Sequence, residues 1–161
     1  MGKKILVAYF SASGTTARLA GRLASMLGAP AHEIIPAEPY TAADLDWTDS
    51  KSRSTIEMND KSFRPGIANK VEEMEQYDTI LLGFPIWWYV APTIINTFLE
   101  QYDLSGKTII PFATSGGSGM GRTVEELRPS CPGANLESGK RLGANASDRE
   151  LRAWLESLGM V

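Results

Sequence analysis

Three stretches of this chain, residues 5–10, 79–84 and 107–113, are nearly uninterrupted apolar runs, and each ends in a loop of unusual composition followed by a helical pattern. Short apolar runs bounded by polar residues fit strands buried on both faces, the condition of parallel strands covered by helices. The helical patterns between them are amphipathic. Over residues 15–27, Leu19, Leu23 and Leu27 repeat on one face with Ala20 and Ala24 beside them, while Arg18, Arg22 and Ser25 take the other. Gly28 and then Pro30 end that helix. Pro92 opens a further helix whose stripe is Ile94, Ile95, Phe98 and Leu99. Ser147 and Glu150 cap a last one, with Leu151, Trp154, Leu155 and Leu158 inward.

The weaker signals complete the pattern. Residues 31–35, ended by Pro36, read as a short strand at a sheet edge. Residues 39–66 are polar, mixed in charge and without sustained periodicity. A connection this long is uncommon in a compact domain and suits a lid, and Thr41 with Asp44 predicts a short capped helix inside it. Ile67, Val71 and Met74 predict a helix ending near Tyr77. Thr123 and Glu126 predict a short capped helix stopped by Pro129, and residues 136–142 a last strand. Strand and helix thus alternate five times, which predicts a parallel sheet with helices on both faces, in one domain over residues 1–161.

Composition narrows the function classes. A formal net charge of −3 on 161 residues disfavours nucleic acid or an anionic membrane as partner. A lone cysteine, Cys131, and a lone histidine, His32, can build neither an internal disulfide nor a zinc site of the usual kind, so no metal is expected. The basic start and apolar run at residues 5–10 imitate a signal peptide, but the run is too short and residues 11–14 interrupt it, so the expectation is a cytoplasmic protein. His32 is expected at the surface, Cys131 unactivated and Trp154 in the core; no serine triad is supportable.

The chemistry is expected where open α/β sheets hold ligands, at the carboxyl ends of the strands. Residues 11–16 read Ser11, Ala12, Ser13, Gly14, Thr15, Thr16 and join a buried strand to a helix. Their hydroxyls and the helix's first N–H groups suit a phosphate. The Gly-Lys-Ser/Thr ending of a triphosphate loop and the spaced glycines of a dinucleotide fingerprint are both missing, so a single phosphate monoester fits best. A plain Ser/Thr-rich helix cap is the alternative reading of this loop alone.

Strand, Ser-x-Ser-Gly-Thr-Thr, then helix resembles the phosphate loop of the flavodoxins. Pro85, Ile86, Trp87 and Trp88 resemble the family's first flavin loop, and Thr114, Ser115, Gly116 and Gly117 its second. The resemblance is nearest to a branch with this Pro-Ile-Trp-Trp loop. It implies a three-layer, doubly wound, five-stranded parallel sheet of order 2-1-3-4-5 with FMN as cofactor. The three loops would then hold, in turn, the phosphate, the ring and the pyrimidine edge with the ribityl chain. The residue chemistry agrees. A tryptophan can wall a flat aromatic ring, and Gly116 and Gly117 allow the backbone close to it. Two functions stay open: an electron carrier that docks to redox proteins, and an NAD(P)H-dependent FMN oxidoreductase acting on quinones or similar acceptors. The Pro-Ile-Trp-Trp loop also resembles that of quinone reductases, and the second flavin loop runs into Arg122 where typical flavodoxins are acidic.

Overall fold

A computed structural model of the chain describes residues 4–160 apart from 12–13, 39, 42, 47, 61, 87–89, 115–122, 138 and 144–145. The apolar runs form β1 (Ile5–Tyr9), β3 (Thr79–Pro85) and β4 (Thr108–Thr114), and β2 (Ala31–Glu33) lies outside β1. Every strand pairing is parallel and the order is β2-β1-β3-β4-β5, with β5 (Asn135–Leu136) on the far side of β4. β6 (Lys140–Leu142) continues that last position, pairing with Phe112–Thr114 of β4 where β5 pairs with Thr108 and Ile109. The predicted strand over 136–142 is therefore real but broken. Its break holds Gly139 at φ +70°, where a Cβ would stand 2.1 Å from the Pro111 carbonyl oxygen.

Side chains alternate across the sheet because successive strand residues point to opposite faces. Leu6 and Ala8 of β1 join Leu82, Phe84 and Ile109 on one face, covered by α3 (Thr93–Glu100) and α4 (Thr123–Leu127). Val7, Leu81, Ile110 and Phe112 face the other way, against α1 (Thr15–Leu27) and α5 (Asp148–Ser157). Trp154 is in this second core, its ring edge-on to Phe112 at 6.3 Å. Local caps explain the boundaries. The Gly28 N–H closes α1 on the Ala24 and Ser25 carbonyls, and Ser147 Oγ accepts from the Glu150 N–H at 3.1 Å to start α5.

The segment after β2 departs from expectation in two places. Thr41 and Asp44 do exchange the paired bonds of a capping box, at 2.9 and 3.1 Å. They close only a turn, and the helix forms later as α2 (Arg53–Asn59), capped by Ser52. The helix expected from Ile67 to Tyr77 shrinks to one 3-10 turn, Met74–Gln76. Ile67 instead makes an antiparallel bridge with Pro36, and the Asn69 amide bonds the Ile35 N–H and the Glu33 carbonyl. Those contacts cover the free edge of β2, an edge otherwise open to pairing with other chains, and the covering outweighs the helical spacing. His32 also departs from the expected surface position. It is half-buried, 6.2 Å from the Phe98 ring, with Nε2 lacking a partner, and burial lowers its pKa against the opposing pull of Glu33.

Candidate functional site

The carboxyl ends of β1, β3 and β4 lie side by side, and short polar contacts fix them there. The Phe10 N–H donates to the Gly83 carbonyl at 2.9 Å, and the Ile86 N–H to the Thr114 carbonyl at 3.1 Å. Pro85 and Thr114 are register partners at the strand ends. Thr16, in the first turn of α1, meets Thr114 through their hydroxyls at 2.8 Å, with both residues buried. The first and third loops are thus joined by a direct bond across the sheet's end.

The described residues of the first loop, Ser11, Gly14, Thr15 and Thr16, lie at the N-terminus of α1. Gly14 caps α1 at φ 93°, a left-handed conformation that a side chain at this position would strain. Its N–H donates to Ser11 Oγ at 3.0 Å, which curls the loop. Gly14 at the N-cap has no side chain with which to cap α1, and no acidic residue sits in the first turn. The orphan N–H groups and the positive end of the helix dipole stay available to an anion there. Of the predicted site residues, Ser11, Gly14, Thr15, Thr16, Pro85, Ile86 and Thr114 converge on this end. Ala12, Ser13, Trp87, Trp88, Ser115, Gly116 and Gly117 lie outside the described residues, as does Arg122.

The long connection between β2 and β3 reaches this same end. Tyr40 lies edge-on to Phe10, the last residue before the first loop, with ring centroids 5.6 Å apart. Its hydroxyl donates to Glu57 Oε1 at 2.5 Å, and Arg53 donates to Glu57 Oε2 at 2.7 Å while stacking 3.9 Å above the Tyr40 ring. Burial first, then the bond to Glu57, push the Tyr40 phenol well above its usual value, so it stays protonated. Sequence reasoning missed this cluster, because residues spaced irregularly in a polar segment carry no periodic signal. Burial likewise raises the Cys131 thiol, as expected of an unactivated cysteine. Among the described residues no group of His, Cys, Asp or Glu is placed to hold a metal ion, and no helix is long and apolar enough to cross a membrane.

Comparison with known proteins agrees with this geometry. The family model described as flavodoxin matches residues 4–158. A provisionally assigned flavoprotein of Bacteroides eggerthii DSM 20697 is 49% identical, with a TM-score of 0.92 over 98% of this chain and 99% of that one. A flavoprotein of Lactobacillus acidophilus NCFM, solved in complex with FMN, is 26% identical, with a TM-score of 0.69 over 95% of this chain and 99% of that one. An uncharacterised NAD(P)H oxidoreductase of Escherichia coli K12, YcaK, is 29% identical over 42 residues. That match spans 26% of this chain and about a fifth, 21%, of the curated relative.

Proposed function

The chain belongs to the flavodoxin family, and from that premise we propose that it passes electrons between redox partners through FMN held by the three loops. The observation that carries the reading is the N-terminus of α1, which has a left-handed glycine at its cap and no acidic residue in its first turn. It offers N–H donors to one phosphate group. In this reading Ser11, Ser13, Gly14, Thr15 and Thr16 bind the FMN phosphate, with Ala12 contributing backbone. Pro85, Ile86, Trp87 and Trp88 wall the ring. Thr114, Ser115, Gly116 and Gly117 follow its pyrimidine edge and ribityl chain. When bound, FMN supplies one- and two-electron chemistry.

The chain's own contribution is binding and orientation. The bond between Thr16 and Thr114 holds the start of α1 to the end of β4, the two positions from which the phosphate and ribityl chain would be held. Buried apolar strand ends, Phe10 and Phe84 among them, keep water from the floor of the site.

A second reading, an NAD(P)H-dependent FMN oxidoreductase acting on quinones, draws on the Pro-Ile-Trp-Trp loop and on the short match to an NAD(P)H oxidoreductase. Steady-state oxidation of NADPH and NADH by the flavin-loaded protein, with and without a soluble quinone, separates the two. A carrier shows turnover only when a reductase is added. Robust quinone-dependent turnover by the protein alone assigns the enzyme. We place either activity in the cytoplasm.

A further inference from the structure

The Tyr40, Arg53 and Glu57 cluster has the build of a latch. Glu57 is 2% exposed, and both its oxygens are engaged, one by the Tyr40 hydroxyl and one by Arg53. Arg53 Nη1 also donates to the Glu38 carbonyl at 2.7 Å, which ties α2 back to the start of the strap formed by residues 38–66. A buried carboxylate adds little net stability compared with an apolar side chain of its size, but losing one of its partners leaves a charge stranded away from water. The cluster therefore favours two states, fully closed or fully open and solvated, over any intermediate. It sits at a sensitive place. The Tyr40 ring presses on Phe10, which is 1% exposed and held by the Gly83 carbonyl, and Ser11 is the next residue. The strap's other end is anchored separately. Arg64 pairs with both oxygens of Glu100 at 2.9 and 3.1 Å, and Ser130 donates to the same carboxylate at 2.7 Å.

We propose that Tyr40 is a positioning residue for FMN: locked by Glu57 and Arg53, it fixes Phe10 and hence the start of the phosphate loop, so that strap closure and FMN binding are one linked equilibrium. The inference rests on the reading that this chain binds FMN. A ligand that needs the closed strap binds less tightly by the fraction of molecules that are open, and in turn draws the strap shut.

The test reads the strap and the affinity together. The strap carries Arg53 within α2, engaged with Glu57 and the Glu38 carbonyl, so trypsin cleavage after Arg53 reports opening. Cleavage rates with and without FMN, and FMN affinity by fluorescence quenching, are measured for the full chain and for Tyr40→Phe, Glu57→Gln and Glu100→Gln. FMN is expected to slow strap cleavage of the unaltered chain about tenfold. Tyr40→Phe keeps the ring on Phe10 and removes one bond to a charged group, worth about tenfold in the closing equilibrium. It should speed cleavage and weaken FMN by factors that multiply to about ten, because a tenfold lower closing constant divides its effect between the open and closed fractions, and Glu57→Gln should do the same. Glu100→Gln loosens the far anchor and should obey the same linkage, any faster cleavage being matched by the loss of FMN affinity that the added opening implies. Latch variants whose cleavage and affinity changes fall short of that product overturn the proposal, as does strap cleavage indifferent to FMN, or a Glu100→Gln variant that departs from the linkage the latch variants follow. Absence of FMN binding by the unaltered chain removes the flavin reading and the proposal with it, whereas FMN binding with an indifferent strap removes the proposal alone.

Discussion

At the scale of single residues, the paired hydroxyls of Thr16 and Thr114 set the tightest constraint in the site. Both are buried and each satisfies the other at 2.8 Å. Replacing one by valine strands the other hydroxyl, which costs about 1–3 kcal/mol, whereas replacing both removes the mismatch. Chemical denaturation of the apoprotein should therefore show Thr16→Val and Thr114→Val each destabilising and the double variant recovering much of the loss. Equal, additive losses would mean that the bond does not form. His32 gives a pH signature. Burial lowers its folded pKa below the ordinary 6.5, so as pH falls through that value the unfolded chain takes up a proton before the folded one does. Stability tied to the neutral ring is then fully present above about pH 7 and is lost as pH falls below 6.5. Thermal melts should show the unaltered chain losing more between about pH 7.5 and pH 5.5 than His32→Gln. Equal losses would assign the slope to other groups.

At the scale of elements, the phosphate loop carries the largest predicted effect on the ligand. Each hydrogen bond to a charged group is worth about 1.5–3 kcal/mol. Removing the hydroxyls of Ser11, Ser13 and Thr16 together should therefore weaken FMN by about three decades or more, read by fluorescence titration of the folded variant. An unchanged affinity would move the phosphate elsewhere. The broken edge position makes a separate prediction for the fold. A Cβ at Gly139 would collide with the Pro111 backbone in a left-handed conformation, so Gly139→Ala should lower the melting temperature by several degrees and relax the β6 pairing to β4, seen as faster amide exchange at residues 140–142. Normal exchange there would show that the chain absorbs the clash. How far these elements were legible in the sequence follows from what made each one. The three central strands and the helices α1, α3 and α5 were readable because uniform burial or a helical stripe leaves a periodic trace. The Gly28 and Ser147 caps were readable because local chemistry alone decides them. Residues 67–73 misled because their apolar spacing serves contacts with the β2 edge, a tertiary demand that local spacing does not encode. The Thr41 and Asp44 box formed as written, yet a cap without a following apolar stripe does not make a helix.

At the scale of the molecule, the three loops most concerned with chemistry are gathered at one end by parallel strand order alone. That explains why the loop compositions alone point to a shared site. The strap's cluster was not legible in the same way: Tyr40, Arg53 and Glu57 become neighbours only after the strap folds back on Phe10. The molecule therefore consists of a sheet whose strand ends meet the N-terminus of α1, helices that cover the sheet from both faces, and a strap packed beside that end. The central claim is that this end holds a flavin mononucleotide. The most direct measurement is the mass of the small molecule released when the purified, natively expressed protein is denatured. The account predicts a yellow protein that releases FMN, close to one per chain. Release of FAD, or a colourless protein that shows no quenching of added FMN, would contradict it.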